Sequence, residues 1–249
     1  MARQKGIIKL KGTIGDVTFY RTQDGHLAKE KTSLDGARIA TDPAFIRTRE
    51  NGSEFASAAK AGKILRDALR AYISGSSDGR VTSRLTALMM KIKTLDATSM
   101  RGARTVGTAI VLPSAMTMLQ GFNFNKRALL GEVLHKPYTV NAATGEIDIN
   151  AFLAANDVRV PQGATHISFT GCWAKVDFVN GVYNTQTSPV SNVALSAASA
   201  NVTLIPTAAP TGTGTNIYLI KVEFFQMVNT IQYSLKNGAY NAVAVIQVA

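Results

Sequence analysis

Residues that carry chemistry are scarce in this 249-residue chain. A single cysteine, Cys172, leaves no internal disulfide framework, which suits a reducing compartment. The three histidines, His26, His135 and His166, have no paired metal-ligand spacing. Without Cys-x-x-Cys or His-x-x-x-His a zinc site has no support, and each histidine reads as a surface or capping residue. Cys172, beside Trp173, reads as core packing. No run approaches the roughly 18–20 apolar residues of a membrane helix, and no secretory signal is readable behind Met1. Synthesis is therefore expected in the cytoplasm, with no membrane partner, and later release in an assembled particle stays open.

Nucleotide-binding patterns fail on inspection. Gly62-Lys63 mimics a phosphate loop, but Ser57 stands at the upstream glycine position and Ile64 replaces the magnesium-binding hydroxyl. Gly212-Thr213-Gly214 starts like a dinucleotide fingerprint, yet Ile217 occupies the third glycine position, and a turn accounts for it better. There is no Gly-x-Ser-x-Gly elbow, and the carboxylates are scattered. The chain is expected to be no enzyme, with no cofactor and no small-molecule substrate.

A further absence is regional. Residues 178–220 contain no Lys, Arg, Asp, Glu or His. A solvated surface carries about 25–35% charged residues, whereas the core of a protein–protein interface is depleted of them. The bland account is a set of neutral Ser/Thr-rich loops.

What is present is basic and unevenly placed. The net charge is +11; residues 1–104 hold 20 Lys and Arg against 10 Asp and Glu, and residues 105–249 hold 7 against 6. Hydrophobic residues make up 46%, enough for a core. The patterning predicts an α+β fold. It divides into a β-hairpin arm (1–41), a basic helical hairpin (42–104), a connector (105–136) and an antiparallel β-sandwich (137–249).

In the arm, Gly15 and Gln23-Asp24-Gly25 bound short strand patterns, and Thr32 to Ala40 reads as a polar loop. Asp42-Pro43 is a helix start, with a break expected at Asn51-Gly52. Phe55, Ala59, Gly62, Leu65, Leu69 and Tyr72 recur as one helical face, and Ala59 and Gly62 would let a partner helix approach closely. Val81, Leu85, Leu88, Ile92 and Leu95 form a second stripe, and the short Gly75–Gly79 link favours an antiparallel pair.

Residues 105–135 are poorly legible: Pro113–Leu119 suits a short helix and Gly121–Asn125 an extended segment. From Pro137 the period becomes two, with turns at Thr144-Gly145, Asn180-Gly181 and Asn237-Gly238. The apolar parity of Thr165–Phe178 switches about Gly171, which predicts a bulge or sharp bend. Ala242–Val248 is apolar on both faces, a hazard on an open edge.

The opening Met1-Ala-Arg-Gln-Lys-Gly-Ile-Ile-Lys-Leu-Lys-Gly-Thr-Ile-Gly-Asp-Val-Thr-Phe-Tyr20 resembles an uncharacterised family of proteins from Bacteroidetes genomes. So do Asp42 through Phe55, Ala97-Thr-Ser-Met-Arg-Gly102 and Leu235-Lys-Asn-Gly-Ala-Tyr240. The resemblance implies no activity and assigns no functional residue.

Three readings follow. The first is a non-enzymatic subunit that assembles with copies of itself into a filament, tube or virus-like shell by strand exchange or docking. Its expected interface is Ile14, Val17, Phe19 and Tyr20 with Val243, Val245, Ile246 and Val248. The second is a nucleic-acid-associated protein whose basic helices meet phosphates through Arg47, Arg49, Lys60, Lys63, Arg70, Arg84, Lys91 and Lys93. The third, a carbohydrate- or protein-binding module, lacks an aromatic platform.

Overall fold

A computed structural model describes residues 2–31, 35–196, 198–235 and 238–249. It divides into two units, 1–49 and 50–249.

In the first unit, β1 (Ala2–Arg3), β2 (Gly12–Ile14), β3 (Val17–Thr22) and β4 (Gly25–Glu30) form an antiparallel sheet in the order β1-β4-β3-β2. Ile14 pairs with Val17 and Thr22 with Gly25, so Gly15-Asp16 and Gln23-Asp24 are two-residue loops. The expected hairpin is thus a four-stranded sheet. The predicted polar loop holds helix α1 (Gly36–Thr41), capped by the Asp35 carboxylate, while Thr32–Leu34 lie outside the described residues. Asp42 then accepts a hydrogen bond from the Ala44 amide at 2.9 Å, with Pro43 at the first helical position. That starts a 3₁₀ turn, Pro43–Phe45, which runs into α2 (Ile46–Ala68).

Helix α2 is continuous, so the break expected at Asn51-Gly52 does not occur. A helical glycine costs about 1 kcal/mol relative to alanine, less than burial of the helix face that follows contributes. That face is Glu54, Ala58, Ala61, Gly62, Ile64 and Leu65, rotated from the predicted stripe; Phe55 is 54% exposed. After α3 (Arg70–Ile73) comes α4 (Val81–Lys93), with Val81, Leu85, Met89 and Ile92 buried. Glu54 meets Lys93, and Gly62 faces Leu85 and Met89, so the two helices run antiparallel. A Cβ on Gly62 would lie 3.5 Å from Leu85 Cγ, an ordinary contact, so the unusually close helix approach expected at Ala59 and Gly62 does not occur.

The poorly legible stretch contains α5 (Val106–Ala109), α6 (Pro113–Leu119) and α7 (Leu130–Val133). Next come β5 (Thr139–Val140), β6 (Ile147–Phe152), α8 (Ala154–Asp157), β7 (His166–Asp177), β8 (Val182–Thr187) and β9 (Ser191–Ala194). The chain ends with β10 (Ala200–Leu204), β11 (Thr215–Val228), β12 (Ile231–Ser234) and β13 (Ala242–Val248). The Asn237-Gly238 turn falls partly outside the described residues.

Strands β7 and β11 pair antiparallel along their length. β8 and β9 lie along the far edge of β7, and β12 and β13 along the far edge of β11. One face of this six-stranded sheet packs against β10-β6-β5, the other against the helices. The second unit is therefore a sandwich with a helical layer added, and no boundary separates helices, connector and sandwich. A single hydrophobic cluster joins Leu65, Leu85 and Leu119 to Val176, Leu219 and Val245.

Two layers explain the parity of β7. Ile167, Phe169 and Trp173 face the small sheet; Cys172, Ala174 and Val176 face the helices. Its pairing with β11 runs without a register shift, so Gly171 is no bulge. A Cβ there would sit 3.1 Å from Leu204 Cβ and 3.2 Å from Ile147 Cδ1. Glycine admits the small sheet at that point.

Candidate assembly surface

The strand predicted to donate to a neighbour is spent inside its own chain. Val243, Val245, Ile246 and Val248 are between 0% and 8% exposed. Val243, Val245 and Val248 lie under the helices, and Ile246 under the small sheet. One edge of β13 pairs with β11, and the other is covered by residues 121–124. The Gly121 amide donates to Val245 O, the Val245 amide to Phe122 O and the Phe124 amide to Val243 O, each at 2.8–2.9 Å. Being apolar on both faces here means burial between two layers, and these four residues are no interface.

The N-terminal candidates sit differently. Among residues 2–31, all described, none is buried. Ile14 is 62% exposed, Val17 is 38% exposed, and Phe19 and Tyr20 are half-buried; Ile7 and Ile8 stand in solvent. A sheet this small is marginal in water unless one face is covered.

Half of the candidate phosphate contacts make ion pairs or hydrogen bonds within the chain. The Lys93 ammonium is buried and ion-paired with Glu54, whose carboxylate also accepts from the Gly102 amide at 2.8 Å. Burial, then the charges of Arg104 and Arg101, push the Lys93 ammonium below its ordinary range. Arg84 pairs with Asp78 at 2.5 Å and donates to the carbonyls of Asn123 and Phe124, which holds residues 121–124 on α4. Arg49 donates to the carbonyls of Ile39 and Asp42, and Arg70 pairs with Asp67 at 2.6 Å. Glu54 lies 39 positions from Lys93, and Asn123 and Phe124 lie 39 and 40 from Arg84, too far for sequence reasoning to pair them, whereas Asp42, Asp67 and Asp78 are close in the chain to their arginines. Arg47, Lys60, Lys63 and Lys91 are exposed.

The turn after α4 is organised by Asp96, which is 2% exposed. Its carboxylate accepts from the amides of Thr98, Ser99 and Thr105 and from the Thr98 hydroxyl, at 2.9–3.1 Å. Burial alone would raise its pKa, but these hydrogen bonds outweigh it and hold the carboxyl well below the usual range. Cys172 is buried, and burial raises its thiol, as for a cysteine packed in a core. Among the described residues no group of His, Cys, Asp and Glu could hold a metal, and no helix is long and apolar enough to cross a membrane.

The charge-free segment, which sequence reasoning did single out, becomes sheet edge. It supplies β8, β9 and β10 at edges, while its last residues, 215–220, open the central strand β11 and are largely buried. Among the described residues, β8 and β9 each pair only with β7, and β10 only with β6. Val179, Val182, Tyr183, Val190 and Ile205 on this segment are 46–68% exposed. Comparison with family models, curated proteins and solved structures returned no match to this chain.

Proposed function

We propose that this protein is a non-enzymatic structural subunit that assembles with copies of itself through its N-terminal sheet. The observation that carries the reading is a four-stranded sheet with no buried residue and with Ile7, Ile8, Ile14 and Val17 in solvent. Ordering the backbone costs about 1–2 kcal/mol per residue, which apolar burial must offset. A neighbouring copy supplies the missing surface. Strand exchange through β13 has no place in this reading, so the contact is docking.

The test uses the full-length chain carrying Ile14→Lys and Val17→Lys. Each side chain left in water forfeits about 1.5–3 kcal/mol of burial. Assemblies of the parent chain seen by negative-stain electron microscopy should be lost in the double variant, with its melting temperature unchanged. Particles that persist in the variant contradict the reading.

Contact with nucleic-acid phosphates is the competing reading, favoured by Lys60 and Lys63, exposed on the same helix. It predicts an absorbance at 260 nm in purified material and affinity that falls steeply with salt. Salt-independent particle formation without nucleic acid rejects it.

A further inference from the structure

Edge strands present unpaired amides and carbonyls, and folded proteins protect them with lysines, in-strand prolines or cover. β8, β9 and β10 are three edge strands with no charged residue among them. Pro189, Pro206 and Pro210 lie between or beyond the strands, not in them. Some cover exists: the Thr207 amide donates to Thr187 O, and the Asn184 amide side chain to the Thr211 hydroxyl. Both contacts also come from the uncharged segment. β8 and β9 follow one another along β7, and β10, the edge of the small sheet, lies near β9.

We infer that these uncharged edge strands are the receptor for the N-terminal sheet of a second copy, in a head-to-tail contact. The inference rests on the self-assembly reading and names the surface it uses. Charge decides the choice. Residues 1–49 carry 10 Lys and Arg against 5 Asp and Glu, and residues 50–249 carry 17 against 11. A basic sheet approaching a basic body is repelled least where that body adds fewest cations; the edge strands β8, β9 and β10 add none, and Lys60 beside Val179 and Arg70 near Tyr183 stand at their margin. The apolar sets also match in kind: Ile7, Ile8, Ile14 and Val17 on the donor, Val179, Val182, Val190 and Ile205 on the acceptor. Because the two surfaces differ, the contact is heterologous, and it yields rings when the rotation closes and filaments when it does not.

Two full-length variants test this. Val182→Lys with Val190→Lys spoils the acceptor; Ile14→Lys with Val17→Lys spoils the donor. All four positions are at least 38% exposed, so both variants should melt as the parent does. Each substitution should weaken association roughly tenfold, and light scattering should find each variant alone at 26.5 kDa. Mixed in equal amounts, they should form a species of twice that mass. One intact donor meets one intact acceptor, and the pair cannot extend. If the acceptor variant still assembles while the donor variant does not, the surface is wrong and the self-assembly reading survives. Should the mixture stay monomeric, head-to-tail geometry is overturned. A parent chain that is itself monomeric removes both claims.

Discussion

Asp96 is the carboxylate on which the turn after α4 depends. Its folded pKa lies below its unfolded value of about 3.9, so between the two the unfolded state binds more protons. The stabilisation is fully present above pH ~5 and is lost as pH falls through the window below. Asp96→Asn should lower stability at neutral pH by about 2–3 kcal/mol and flatten the acid limb, measured by urea denaturation across pH. An unchanged acid limb would contradict this. Lys93→Met leaves Glu54 buried and unpaired and should cost about 3–5 kcal/mol. Adding Glu54→Gln, which keeps the acceptor for Gly102, should recover part of that loss in the same measurement. Neither role was legible in the sequence: Lys93 looks like any cation on a basic helix, because Glu54 sits 39 positions away.

At the scale of elements, the sequence announced where helices and strands begin better than which way they face. Asp42-Pro43, the stripe of α4 and the Asn180-Gly181 turn all stand where local chemistry puts them. The orientation of α2 was misread because Phe55 looks like core. It lies over an open groove with Ala59, Thr86 and Met90, while smaller Ala58 and Ala61 are buried in the core. The switched parity of β7 was illegible for a related reason, since layers on both faces bury both parities.

Gly145 joins β5 to β6 at φ +74°, and a Cβ there would come within 2.5 Å of Trp173 Cε3. Gly145→Ala is therefore strained twice over and should destabilise by at least about 2 kcal/mol. Trp173 emission, reporting its stack on Tyr218 at 5.5 Å, should shift with it. An alanine variant as stable as the parent, with unchanged emission, would contradict that packing. Phe124 is fully buried where residues 121–124 cover β13. Phe124→Ala should cost about 3–5 kcal/mol, read as a fall in the denaturant midpoint; a loss under 1 kcal/mol would mean that the cover is dispensable.

For the whole molecule, the α+β class and the split between a basic N-terminal half and a near-neutral remainder were legible, because composition reports them directly. The boundaries at 104 and 136 were not, since helices and sheet share one core that only long-range packing creates. The same packing buried β13 inside the second unit and left β8, β9 and β10 as uncharged edge strands, while no residue of the N-terminal sheet is buried.

The central claim is that the N-terminal sheet finds its cover on another copy. Multi-angle light scattering of the full-length parent chain over a concentration series measures this directly. The account predicts masses that are multiples of 26.5 kDa and grow with concentration. A single 26.5 kDa species at every concentration, with the amides of β3 and β4 protected from exchange, would contradict it.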